Sequence, residues 1–132
     1  MKYALTAGLA AALSLAGITT GYGQTAIQPT PTTKILAIGT INPGVEPERV
    51  FAILPEEVRD TANLDLDGKI DQWYSQQNGK GVVFILNVTD PAAAHDMLEK
   101  LPLGQAHLMS FELIPLGPLA PLRRLPGMAT KP

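Results

Sequence analysis

The chain has 132 residues, no cysteine and a formal net charge of −2. Its only adjacent pair of cationic residues is Arg123–Arg124, so the basic surface that a nucleic-acid backbone requires is absent and that function class is excluded. A disulfide-stapled scaffold is excluded by the lack of cysteine.

Residues 1–23 are predicted to form a cleaved signal peptide. Lys2 precedes an apolar run, Ala4–Ile18, and the small residues Gly21 and Gly23 suit cleavage before Gln24. The run is short for a membrane span, so an uncleaved anchor is the less favoured alternative. We therefore expect an exported protein, periplasmic or extracellular, with one small domain of 109 residues after cleavage.

The first half of the mature chain is predicted to contain a leader, a strand and a helical stretch. Residues 24–33 are polar with two prolines and favour a flexible leader, and Lys34–Ile41 is the first strand. The stretch Pro47–Asp67 is helical, and Pro55 divides it into two short helices or kinks a single one. The acids Glu56–Glu57 are interpreted as stabilising a helix start, and Gly68 is expected in the left-handed cap position.

The second half is predicted to contain two strands, a helix and a last strand. Lys69–Gln76 and Gly81–Val88 are the strands, separated by a tight turn. A helix over Pro91–Leu101 and a strand over Leu108–Ile114 follow. The order βαββαβ indicates an α+β, ferredoxin-like domain over residues 34–118, with a four-stranded antiparallel sheet and two helices on one face.

The apolar segment Val82–Leu86 predicts a homodimer. It is apolar on both faces, which implies that both sides of the sheet are covered, whereas two helices cover only one. We expect a second copy on the other face, giving a dimeric α/β barrel, and a small domain without disulfides often gains stability in this way. The Pro- and Leu-rich residues 119–132 are interpreted as an arm along the neighbouring subunit, or as a polyproline ligand.

The segment Ala93–Leu103 reads A-x-H-D-x-L-x-x-L-P-L, and the last strand contains E-L-I-P-L from Glu112. Together with Gly68 and Trp73, these residues resemble the muconolactone delta-isomerase family. The resemblance implies dimeric barrels or larger rings, no cofactor, and the movement of a double bond within an unsaturated lactone. The chain differs from the family at Gly104–Met109, where the enzymes carry an aromatic segment, and at Tyr74, where a basic residue is common.

Three residues are the predicted catalytic groups. Proton abstraction and return require an acid/base side chain and a donor for the enolate oxygen. His95 lies on the flank of the helical stripe, Glu112 lies within an apolar strand, and His107 precedes that strand. Each residue has a structural alternative. His95 would be a half-exposed boundary histidine, Glu112 an edge-strand charge that discourages aggregation, and His107 a solvated loop histidine.

The second strand is predicted to supply the ligand-binding residues Asp71, Trp73 and Tyr74. Trp73 stacks on a flat ligand in this hypothesis and is a core residue in the alternative. The chain has no Cys/His metal spacing, no Gly-rich phosphate loop and no G-x-S-x-G elbow, so no metal or cofactor is expected.

Two functions follow from the sequence, and a third is kept open. The first is an exported small-molecule-binding protein with cofactor-free acid/base isomerisation of a lactone-like ring. The second is a non-catalytic dimeric binding or assembly module of the same fold. The third is an intramolecular-chaperone-like inhibitor, which shares the topology.

Overall fold

The computed structural model describes residues 30–119. The predicted signal peptide, the first part of the leader and the arm beyond Leu119 lie outside the described residues. The elements are β1 (Lys34–Ile41), α1 (Pro47–Leu66), β2 (Ile70–Ser75), β3 (Gly81–Leu86), α2 (Pro91–Glu99), α3 (Pro102–Gln105) and β4 (Met109–Leu116). The predicted βαββαβ order is confirmed, with α3 as an additional short helix.

The four strands form one antiparallel sheet in the order β2-β3-β1-β4. This is the ferredoxin-like arrangement that the sequence predicts, with β1 and β3 in the centre and β2 and β4 at the edges. Ile38 of β1 lies opposite Val83 on one side and Glu112 on the other. This register assigns alternate residues of every strand to opposite faces of the sheet.

One face of the sheet carries the core. Its buried side chains lie in register on the two central strands, because Ile35 pairs with Leu86 and Ala37 pairs with Phe84. The helix α2 covers them with Ala94, which is buried one turn before Leu98. Its start is well defined: Asp90 Oδ1 accepts a hydrogen bond of 3.0 Å from the backbone N–H of Ala92, and Pro91 occupies the first helical position.

Of the two arrangements predicted for residues 47–67, the single helix is observed. It continues through Pro55, which has no N–H to donate to the carbonyl of Phe51. Gly68 ends the helix at φ 74°. The N–H of Lys69 donates to the carbonyl of Leu64 at 2.9 Å, which completes a Schellman motif and confirms the predicted left-handed cap.

The helix α2 ends two residues earlier than predicted, and α3 begins directly afterwards. Pro102 was expected only to stop a helix, yet it also occupies the first position of α3, where its missing N–H is harmless. The two helices approach closely at Gly104, because a Cβ atom there would lie 2.8 Å from the Cα of Glu99. This close approach packs α3 against the end of α2.

The second face of the sheet has no helix on it within residues 30–119. We call it the open sheet face; its apolar side chains are Leu36, Ile38, Val83, Ile85 and Ile114. The four on the central strands are half-buried, and Ile114 is 38 % exposed. Among the described residues, none of the helices is both long enough and apolar enough to cross a membrane.

Candidate functional site

A cavity of about 520 Å³ lies between α1 and the β2–β3 side of the sheet. We call it the α1–β2 cavity; most of its wall is apolar, with Val50, Phe51, Leu54 and Val58 from α1 and Trp73, Val82 and Phe84 from the sheet. Three small residues, Ser75, Gly79 and Gly81, also line the cavity and contribute little side-chain volume to its wall. A Cβ atom at Gly79 would meet nothing within 4 Å, whereas a Cβ atom at Gly81 would clash with the carbonyl oxygen of Gly39.

The side of α1 that faces the sheet is polar at its centre. The two buried residues of this helix are Glu57, which is 7 % exposed, and Thr61, which is 3 % exposed. Both line the cavity, whereas the apolar residues Phe51 and Val58 are largely exposed at its mouth. The site is therefore an apolar pocket with a carboxylate and a hydroxyl group on its inner wall.

Glu57 is held in place by the start of α3. Its Oε2 accepts a hydrogen bond of 2.8 Å from the backbone N–H of Leu103. Leu103 is the second residue of α3, so its N–H has no partner within its own helix. A side chain of α1 thus satisfies a backbone donor of α3, and this buried bond joins the two helices.

The pKa of Glu57 is raised above its ordinary value of 4.5. Burial is the main cause, because it disfavours the ionised form, and the negative charge of Asp60 adds to it. The hydrogen bond from Leu103 acts in the opposite direction but is outweighed. A carboxyl group with a raised pKa in a cleft is a recognised mark of a functional site.

The second carboxylate oxygen of Glu57, Oε1, belongs to a side chain that lines the cavity. It has no protein donor among the described residues. Every fully buried side-chain nitrogen or oxygen in residues 30–119 has a hydrogen-bond partner, so Oε1 is not fully buried. Since Glu57 lines the cavity, this oxygen is the atom that a bound molecule would meet.

The three predicted ligand-binding residues of β2 are separated by a β-bulge. Trp73 lies opposite Phe84 on the core face, and it lines the cavity together with Tyr74. Asp71 lies at the irregularity between Ile70 and Gln72 and does not line the cavity. Instead its Oδ2 lies 3.1 Å from Nζ of Lys34.

The predicted catalytic residues lie on three separate parts of the surface. His95 is exposed on α2, with its Nε2 3.6 Å from Oε1 of Glu99. Glu112 is exposed on the edge strand β4, on the open sheet face. His107 is exposed in the α3–β4 turn at φ 55°, where its backbone carbonyl accepts a hydrogen bond from Asn42. None of the three lines the α1–β2 cavity, and their catalytic roles stay predictions.

Glu57 was missed as a functional residue. The sequence interpretation assigned it to a helix start after Pro55, but α1 begins eight residues earlier, at Pro47. A signal was present: Glu57 follows Val50 by seven residues and Leu54 by three, which places it on the apolar stripe of the helix. A charged residue in the register of a core stripe indicates a buried, partnered carboxylate.

The cavity has one charged residue in its lining. Among residues 30–119, no Asp, Glu, Lys, Arg or His residue other than Glu57 lines it. Within residues 30–119, no group of three or more His, Cys, Asp and Glu side chains is arranged to hold a metal ion.

No protein-family model and no curated protein sequence matches this chain. The resemblance of residues 34–118 to the isomerase family therefore stays a prediction. The function proposed below depends on the cavity and on the carboxylate of Glu57.

Two variants of Glu57 distinguish the effect of its charge on stability from the effect of its hydrogen bond to Leu103. The folded protein holds a proton on Glu57 more tightly than the unfolded chain does. Its contribution to stability is thus present below pH 4.5 and is lost as the pH rises through the raised folded-state pKa. In Glu57→Gln the amide oxygen still accepts from Leu103, so we expect this loss to disappear. Glu57→Leu leaves a buried N–H unpaired and should lower the free energy of unfolding by about 1–3 kcal/mol at pH 4, with a smaller difference from the wild type at higher pH.

Urea unfolding from pH 4 to pH 7 measures both effects. Glu56→Gln is the matched control, because it removes the same charge from an exposed neighbour, and Asp60 is retained in all variants. Identical pH dependence in Glu57→Gln and Glu56→Gln would contradict the assignment.

Proposed function

We propose that this chain is an exported small-molecule-binding protein whose ligand, a compact ring compound, occupies the α1–β2 cavity. One observation carries the proposal: an apolar cavity of about 520 Å³ has a single buried carboxylate on its wall and a tryptophan beside it. This volume lies in the range of ligand pockets, and a few polar groups in an apolar wall are typical of them. The N-terminal apolar run behind Lys2 supports export.

The wall of the cavity suits a flat ring. Trp73 is 40 % exposed, so its indole offers a free face that a ligand can cover, while Phe84 is buried behind it. An aromatic ring buries roughly 150–250 Å², which is worth about 4–6 kcal/mol at about 25 cal/mol per Å². Because association consumes much of this free energy, we expect single-ring probes to bind in roughly the millimolar range.

The second candidate is acid/base isomerisation of an unsaturated lactone, as in the family that the sequence resembles. The raised pKa of Glu57 favours it, since a general base acts best with a pKa near the working pH. Its oxygen Oε1 has no protein donor among residues 30–119 and is therefore available to accept a proton. Oε1 would take the proton from the carbon beside the lactone carbonyl and return it to the far end of the double bond. The hydroxyl groups of Thr61 and Ser75 are the donors available for the enolate oxygen.

We further propose that a second copy of the chain covers the open sheet face. The half-buried aliphatic side chains of its central strands form an apolar surface that a stable monomer would expose. At one end, the Lys34–Asp71 ion pair gives the patch a polar border. Two such faces packed together would form the predicted barrel, and this surface favours a dimeric assembly module even without catalysis.

Filling the cavity should prevent ligand binding. We expect the uncharged members of a screen of lactones and phenolic acids to shift the fluorescence of Trp73, the only tryptophan of the chain. Val58→Phe enlarges a side chain at the cavity wall and should weaken their binding about tenfold or more, equivalent to about 1.4 kcal/mol. Leu66→Phe is the control, because Leu66 is exposed on the same helix and does not line the cavity. Equal loss in both variants would contradict the cavity as the binding site.

The isomerase candidate is tested with α-angelica lactone, a β,γ-unsaturated lactone whose rearrangement changes its ultraviolet absorption. We expect catalysed isomerisation, with incorporation of deuterium from D₂O, to fall about 100-fold or more in Glu57→Gln, because the amide cannot accept the proton. His95→Ala, Glu112→Ala and His107→Ala should keep the activity. A comparable loss in any of these three would move the proton transfer to that residue.

The dimer is tested by placing a charge at the centre of the open sheet face. We expect the mature protein to have twice the monomer mass in light scattering at micromolar concentration, and Ile38→Lys to have the monomer mass. The new ammonium lies opposite Glu112 across the strand pair, so the folded subunit tolerates it. Leu66→Lys, on the exposed end of α1, should stay dimeric. A monomeric wild-type protein would contradict the proposal.

A further inference from the structure

The electrostatics of the α1–β2 cavity are unbalanced. Among residues 30–119, Glu57 is its only charged lining residue, and no Lys, Arg or His residue of this range lines it. Asp60, three residues later on α1, adds a second negative charge to the surroundings of Glu57. From α3, the group that faces Glu57 is the uncharged backbone N–H of Leu103. The cavity therefore repels anions and has a site for a positive charge.

Aromatic side chains stand around the same opening. Phe51 of α1 faces the solvent at the mouth, and Trp73 of β2 lines the opposite side. Tyr74 pairs with Val83 on the open sheet face, where its hydroxyl group donates to Gln72. The faces of aromatic rings are electron-rich and attract ammonium groups, with tryptophan the strongest partner. Phe51 and Trp73 are both partly or largely exposed, so their faces are open to an incoming ligand.

The structural role of Glu57 does not require a charge. Its bond to Leu103 uses Oε2 alone, and the neutral oxygen of a glutamine would accept the same bond. A buried carboxylate without a cation is unfavourable, and a ligand that supplies the cation removes this cost. The charge of Glu57, and its free Oε1, are thus explained by a cationic ligand.

We propose that the ligand of the α1–β2 cavity is an organic amine, whose ammonium group donates a hydrogen bond to Oε1 of Glu57 and whose apolar body packs against Trp73 and Phe51. This inference rests on the proposed small-molecule binding and specifies its ligand class. It favours binding over lactone chemistry, because an ammonium group at Oε1 occupies the atom that would take a proton. A carboxylate-bearing lactone is the ligand that this cavity binds least well.

A matched series of probes tests the charge preference. 2-Phenylethylamine, 2-phenylethanol and phenylacetate have similar apolar bodies and carry a positive, a zero and a negative charge at neutral pH. We expect binding of the wild-type protein, followed by Trp73 fluorescence, to fall in that order, with the amine preferred over the alcohol about tenfold. Lowering the pH through the pKa of Glu57 should weaken binding of the amine but not of the alcohol, because protonation removes the carboxylate.

Variants locate the preference. Glu57→Gln should bring the amine to the affinity of the alcohol and leave the alcohol unchanged. Val58→Lys, which introduces an ammonium at the cavity wall without touching the bond to Leu103, should abolish amine binding even if Glu57→Gln folds poorly. Asp60→Asn, outside the cavity lining, should keep the amine first in the order.

The outcomes distinguish this inference from the proposed function. If the alcohol binds as tightly as the amine, or if Glu57→Gln keeps the preference, the amine inference is overturned and binding in the cavity stands. If none of the three probes, and no compound of the lactone and phenolic acid screen, binds at millimolar concentration, the proposed function fails together with it.

Discussion

The buried hydrogen bond between the carboxylate of Glu57 and the backbone N–H of Leu103 is the interaction on which the site depends. It joins the middle of α1 to the start of α3 through two residues that are 46 positions apart in the chain. The bond satisfies a helix N–H that has no partner of its own, and it fixes the direction of the carboxylate. The other oxygen is thereby left to the cavity, and burial raises the pKa of the group.

Short residues at two places make this geometry possible. Gly104 lets α3 pack directly on the end of α2, so that the N–H of Leu103 points towards α1. On the sheet side, Gly81 lets β3 approach β1, because a Cβ atom there would clash with the carbonyl oxygen of Gly39. Further along β3, the large side chains of Phe84 and Leu86 are buried in the core between the sheet and the helices. The cavity is therefore the region where the packing of this small domain is left incomplete beside an edge strand.

A single carboxylate oxygen connects the functional alternatives. Oε1 of Glu57 can accept a hydrogen bond from an ammonium group, or it can take a proton from carbon, but one bound molecule uses it in one way only. The part of the lining that residues 30–119 supply contains no cation to stabilise an enolate, and this favours recognition of an amine. The open sheet face is a separate feature, since it lies on the other side of the sheet and concerns assembly.

The sequence by itself determined the order of elements, the sheet and its core face. The alternation of apolar and polar residues in strands and their spacing in helices are local patterns. They predict the elements correctly because the fold buries the apolar face of each element. The cap at Gly68 was equally predictable, since a glycine adopts φ 74° without steric strain. Trp73 was predicted either to stack on a ligand or to lie in the core; it lines the cavity and is 40 % exposed, and its ligand-binding role stays a prediction.

Only the tertiary structure decided which side chains meet. Asp71 was grouped with Trp73 by sequence proximity, but a bulge turns it to Lys34. Glu57 was interpreted as a local helix charge, yet its partner is the backbone of Leu103, whose position depends on the packing of α3. Contacts between distant segments depend on how helices pack and where strands bulge, and no local pattern encodes these distances. The periodicity of the sequence thus predicts the fold, whereas the site depends on the packing of α1 against α3.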